Sequence, residues 1–169
     1  MLDLDILMNR SQHSGIYRWW LNQILSQLIP FNKPHGINVL EVSDHDIKTL
    51  LPYRRKNLNH IKGLHAMALA TLSEFTTGLL LLRILGTKKY RIILQDIKIQ
   101  YHYQGKMNAT AKFGMNQQQI IEQIKKPLTQ VNSIVVPCKI NTYDLEENQL
   151  TSATINWQLK SWEQVKTIV

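Results

Sequence analysis

Glu74 is the side chain with the most to explain. It is the only carboxylate between Asp46 and Asp96, and it stands inside the apolar run 65–83. A buried, unpaired carboxylate either costs several kcal/mol or holds its proton well above the usual range. Two readings follow. Glu74 serves as a general base or nucleophile in a sheltered pocket, or it faces a polar gap or a neighbouring hydroxyl for structural reasons. Ser73 and Thr77 stand beside it and can hydrogen-bond within the helix. A second constellation, Asn59, His60 and His65, lies in the loop that leads into the same run. A helix N-terminus offers free N–H groups and a positive dipole end, which suit an oxyanion. His65 can equally cap the helix or pack at its start.

Other candidates carry less. The histidine spacing is not that of the zinc-binding HExxH motif, and no metal site is expected. Asp44, His45 and Asp46 are ordinary turn residues. Cys138, the sole cysteine, follows Pro137 in a strand-like run and reads as a buried thiol. No nucleophile elbow, P-loop or dinucleotide fingerprint is present.

The elements that must position these groups follow from periodicity. Residues 65–83 are rich in Ala, Met and Leu and apolar on every side, which predicts a buried helix about 28 Å long. It is too short, and too polar at Glu74, for a membrane span. Residues 1–15 read as a loose polar arm. The pattern over 16–29 predicts a helix with Trp20, Ile24 and Leu28 on one face, joined by Leu21 and Leu25, and ended by Pro30. The pair Trp19-Trp20 is expected to anchor this helix to the core rather than to a membrane. Runs 37–42 and 47–53 predict a hairpin, and 54–63 a polar loop. Residues 92–103 predict a strand with Ile97, Ile99, Tyr101 and Tyr103 on one side, turned back at Gln104-Gly105 into a strand over 107–113. A short helix runs from its N-cap Asn116 to a stop at Pro127. Runs 131–143 and 150–162 predict two long strands. Short turns imply an antiparallel sheet, so the fold class is α+β: one long buried helix wrapped by a curved antiparallel sheet of about six strands.

Composition narrows the function classes. The chain has 169 residues, 44% of them hydrophobic and 19% charged, a balance typical of one globular domain. One cysteine excludes a disulfide framework. The start, Met1-Leu2-Asp3-Leu4-Asp5, is acidic where a signal peptide is basic, so a cytoplasmic protein is expected. The net charge of +8 favours anionic partners. The basic residues form short groups, Arg54-Arg55-Lys56, Lys88-Lys89 and Lys125-Lys126, with no basic tail and no nucleic-acid motif. Nucleic acid and membrane are therefore not the expected partners.

The segment 59–74, with Asn59, His65 and Glu74, resembles the signature of hotdog-fold thioesterases of the PaaI-like, phenylacetyl-CoA type. Glu74 stands where that family often has Asp. Ala66 and Met67 replace its two glycines, and Gly63 lies one place off. The resemblance covers about residues 36–162 and is closer to the uncharacterised bacterial branch of the superfamily. It implies a hotdog domain over 36–169, with 1–35 forming an N-terminal arm and amphipathic helix within one globular whole. It also implies an acyl-CoA thioesterase in which Glu74 activates water or attacks directly, and Asn59 and His65 belong to the site. Amides near Ala66 and Met67 then polarise the thioester carbonyl, and Arg54, Arg55 and Lys56 hold the coenzyme A phosphates. No cofactor is implied beyond coenzyme A as part of the substrate, and an acyl-carrier thioester serves equally. Two alternatives on the same fold are a non-catalytic acyl-CoA or lipid-binding protein and an enoyl-CoA hydratase or dehydratase.

Positions 65 and 74 lie about 13 Å apart along one helix axis, so Glu74 does not reach a carbonyl held at its own helix N-terminus. Two antiparallel copies of the helix bring Glu74 of one chain to Asn59 and His65 of the other. The expected assembly is a homodimer or a dimer of dimers.

Overall fold

The computed structural model describes residues 3–165. Residues 1–2 of the expected arm and 166–169 of the expected hotdog domain lie outside the described residues. The elements in chain order are α1 (Leu4–Ser11), α2 (Gly15–Leu28), β1 (Asn38–Val42), β2 (Asp46–Leu51) and α3 (Ala66–Leu85). They continue with β3 (Tyr90–Tyr101), β4 (Ala109–Gly114), α4 (Gln117–Ile120), α5 (Lys126–Gln130), β5 (Ser133–Asp144) and β6 (Gln149–Ser161). The strands form one six-stranded sheet in the order β1-β2-β4-β5-β6-β3, with every pairing antiparallel.

The sheet curves around α3. Leu72, Leu80 and Leu81 of α3 are fully buried against inward side chains such as Ile47, Ala111, Ile155 and Leu159. The hydroxyls of Thr49 and Thr76 meet at 2.6 Å, which satisfies both polar groups inside the core. By length and composition α3 could cross a membrane, yet here it is the core helix of the domain. One long helix enclosed by a six-stranded antiparallel sheet is the hotdog fold expected from the sequence.

Four local expectations are corrected. Residues 4–11 are helical rather than a loose arm. Leu4, Leu7 and Met8 follow helical spacing, Leu7 and Met8 are buried, and the Asp3 carboxylate caps the start by accepting from the Asp5 N–H at 3.0 Å. Helix α2 buries Leu21 and Leu25, while Trp19 and Trp20 are 55% and 47% exposed and stack edge-on against each other. Asn22 sets that rotation. Its side chain accepts from Val39 N–H at 2.7 Å and donates to Val39 C=O at 3.1 Å, so the neighbouring leucines face the sheet.

The third correction concerns β3, which does not turn back onto β4. At 12 residues it pairs along its length with the 13-residue β6, and β4 lies between β2 and β5. Segment 102–108 crosses beside the α3 start, where the Gly105 carbonyl accepts from Leu64 N–H at 2.8 Å. A side chain at Gly105 would press on Leu64 and Leu150. Finally, Pro127 does not stop the helix. A π-helical turn, Ile121–Lys125, widens the backbone between α4 and α5, and Pro127, without an N–H, enters the first turn of α5. The expected cap stands: Asn116 and Gln119 form a reciprocal capping box.

Candidate active site

A trough of about 560 Å³ runs along one face of α3. Its floor is the stripe Met67, Ala70, Thr71, Glu74, Gly78 and Leu82, whose offsets of 3, 4, 7, 11 and 15 from Met67 fall on one helix face. Ile92, Leu94 and Ile97 of β3 form one wall, and Leu25, Ile29 and Phe31 at the end of α2 form the other. Trp157 of β6 closes the bottom. Its indole N–H donates to the Thr77 hydroxyl at 3.0 Å.

Glu74 is the one charged residue in this lining. Among the described residues its carboxylate has no ion pair or hydrogen-bond partner, and burial alone pushes its pKa up from 4.5 to about 7. The neighbouring hydroxyls do not bond it. Ser73 donates to the Leu69 carbonyl, and Thr77 is shared between the carbonyls of Ser73 and Glu74. A lone carboxylate that holds and releases a proton near neutrality, surrounded by apolar walls, has the properties of a general base.

The start of α3 is tied down by a different set. His65 is the N-cap, and its Nδ1 accepts from Met67 N–H at 3.1 Å. His65 N–H donates to the Asn57 carbonyl at 2.8 Å. Asn57 is fully buried. It donates to the carbonyls of His35 and Pro52 at 2.9 and 2.8 Å and meets the His35 ring at 3.0 Å. This side chain thus joins the turn after α2 to the α3 entrance. The Tyr101 hydroxyl donates to the Ala66 carbonyl at 3.0 Å and fastens β3 to the same end.

A family model described as a domain of unknown function, DUF4442, matches residues 17–159. The chain belongs to the DUF4442 family. No curated protein matches this DUF4442 chain. Among solved structures, it resembles a Pseudomonas aeruginosa protein of unknown function, named a probable thioesterase. The TM-score is 0.75 at 18% identity, over 84% of this chain and 95% of that one. A thioesterase from Haemophilus influenzae superposes with a TM-score of 0.66 at 14% identity, over 86% and 94% of the two chains. A protein of unknown function from Chlorobaculum tepidum TLS gives 0.73 at 9% identity, over 89% and 98%. At these identities the likeness establishes the hotdog fold of the DUF4442 chain.

Of the residues singled out from the sequence, Glu74 and Met67 share the trough. Asn59 lies in the preceding loop. Its Oδ1 accepts from the N–H groups of Ile61 and Gly63 at 3.1 and 3.0 Å. His65 and Ala66 are exposed at the helix start. Arg54 donates to the Pro34 carbonyl at 2.5 Å, and Arg55 and Lys56 are exposed on a 3₁₀ turn. None of these six lines the trough. Sequence reading missed Gly78, Trp157 and Asn57. Gly78 was within reach, because it follows Glu74 by four residues on one helix face. Trp157 and Asn57 carry no local signal, since Trp157 meets Thr77 from 80 residues away and Asn57 meets His35 from 22.

Proposed function

We propose that this DUF4442 protein hydrolyses an acyl thioester, with Glu74 as the catalytic carboxylate. The observation that carries the reading is a single unpaired carboxylate, poised near pH 7, in an apolar trough on the central helix of a hotdog fold. Structural relatives named as thioesterases support it. Glu74 takes a proton from a water molecule as the water oxygen attacks the thioester carbonyl carbon. The C–S bond breaks, and the leaving thiolate takes the proton back from Glu74. Acyl-CoA fits the basic groups at 54–56, and an acyl-carrier thioester fits the same chemistry.

The site is completed by a second copy. Glu74 is about 13 Å along the axis from the α3 N-terminus, beyond reach of the Ala66 N–H of its own chain. Strand β3 is a 12-residue sheet edge with Ile93 46% exposed, a surface suited to pairing with a two-fold mate. In the dimer Asn59 and the Ala66 and Met67 amides of one protomer orient and polarise the carbonyl for Glu74 of the other. Met67 N–H becomes available when the His65 ring swings off it.

Hydrolysis of a panel of acyl-CoA thioesters tests the reading. Glu74→Gln lowers turnover by at least ~100-fold with the fold intact, and Glu74→Asp keeps part of it. Unchanged turnover in Glu74→Gln sinks the assignment. A non-catalytic acyl-thioester carrier is the second reading. It is favoured by the His65 cap, which occupies the Met67 N–H, and by Asn59, whose carbonyl is spent within its own loop. Binding without turnover selects it.

A further inference from the structure

The two ends of the trough differ. At one end Met67 and Phe31 are 63% and 69% exposed. At the other, Leu79, Trp157 and Leu25 are buried, Leu82 and Ile92 are half-buried, and Leu94, paired with Trp157, is 37% exposed. Glu74 stands between them. A polar carrier arm requires the open end, so an acyl chain whose carbonyl lies beside Glu74 extends toward Leu82.

We infer that the half of the trough from Glu74 to Leu82 is a subsite for a linear, medium-length acyl chain, with Gly78, Trp157 and Leu82 as its specificity-determining residues. The proposal rests on the reading that an acyl group lies at Glu74. Eight helical residues separate Glu74 from Leu82, which is about 12 Å. An extended carbon chain, with bonds of about 1.5 Å at about 111°, advances about 1.25 Å per atom, so the half-trough holds about ten carbons. Its lining beyond Glu74 offers no charged group and no counter-ion for a second carboxylate or an amine.

Gly78 sets the width. The Trp157 ring packs against α3 where Gly78 has no side chain, and a methyl group there would sit 2.7 Å from the ring. The indole is held in that place by its hydrogen bond to Thr77. Leu82, one turn further on, is the last α3 residue of the lining.

Calorimetric binding of linear primary alcohols tests this without requiring hydrolysis. Alcohols carry no charge, and their hydroxyl can pair with Glu74. Affinity is expected to rise about fourfold per added methylene up to about ten carbons and to level off beyond. Leu82→Ala moves that plateau at least two carbons longer, and Leu82→Trp moves it shorter, each checked for a native circular dichroism spectrum. Length-graded binding with no turnover of any acyl-CoA supports the subsite and defeats only hydrolysis. A plateau unmoved in both folded variants overturns the proposal, as does affinity that climbs unbroken to about fourteen carbons. Absence of binding at every length, the result if a second copy fills the trough, overturns it too.

Discussion

A carboxyl whose folded pKa is about 7 and whose ordinary value is 4.5 binds its proton more tightly in the folded chain than in the unfolded one. Stability is therefore lost as pH rises from 4.5, and the full penalty of the buried charge is present above pH 7. For a side chain only partly shielded, that penalty is at most about 3 kcal/mol. Glu74→Gln should raise the melting temperature by several degrees at pH 8 and far less at pH 4.5. Equal gains at the two pH values would show that the shift is absent. Turnover follows the opposite course, rising with pH through about 7 as Glu74 becomes the free base. The same substitution thus trades activity for stability, as catalytic groups commonly do. Glu74 was legible in the sequence because a single charge inside an apolar helix is a local anomaly. The two asparagines were not so easily told apart. Spacing points to Asn59, yet the buried knot is Asn57, because its partners at His35 and Pro52 are brought to it only by the folded chain. Asn57→Ala strands two carbonyls and should cost about 2–3 kcal/mol in urea unfolding. Asn59→Ala should cost under about 1 kcal/mol, since water reaches its loop, and should lower turnover instead.

At the level of elements, α3 and the β5–β6 hairpin were legible because their patterns are long and their connections short. The Asp144 carboxylate accepts from the Glu146 and Asn148 N–H groups at 3.0 and 2.9 Å and shapes the hairpin turn, as an acidic turn residue does. The mate of β3 was not legible. Two strands adjacent in sequence favour a hairpin, but strand length decides here, since β6 offers β3 a full-length ladder and the 6-residue β4 does not. Helix α1 was hidden by its polar residues, although three apolar side chains at helical spacing were present. Pro127 misled because a proline in a regular helix clashes with the carbonyl four residues earlier. The π turn before it removes that clash. Replacing Pro127 with Ala should therefore leave the 117–130 segment helical, with a change in stability under about 1 kcal/mol. Loss of that helix signal in amide exchange would show that the proline is required.

For the whole molecule, the sheet has unequal edges. Strand β1 is 5 residues long and is partly covered by α2 through Asn22, whereas β3 is 12 residues long and presents Ile93 outward. A lysine on such an edge blocks strand pairing. Ile93→Lys is expected to halve the mass seen by light scattering and to abolish turnover, because each proposed site draws on both protomers. A wild-type protein that is monomeric and fully active would contradict the shared site.

Cys138 lies in the middle of β5, 1% exposed and paired with Ile155, and burial pushes its thiol up to about 12. A thiol that is neither ionised nor accessible does not react with alkylating reagents. It is also the chain's only cysteine, so modification adds a single mass increment. Labelling of the native protein can then proceed only through openings that expose the centre of the sheet. Its rate is a clock for those openings, read by mass spectrometry without an added probe. A ligand that fills the trough and holds Trp157 and β6 in place should slow this clock in proportion to its occupancy.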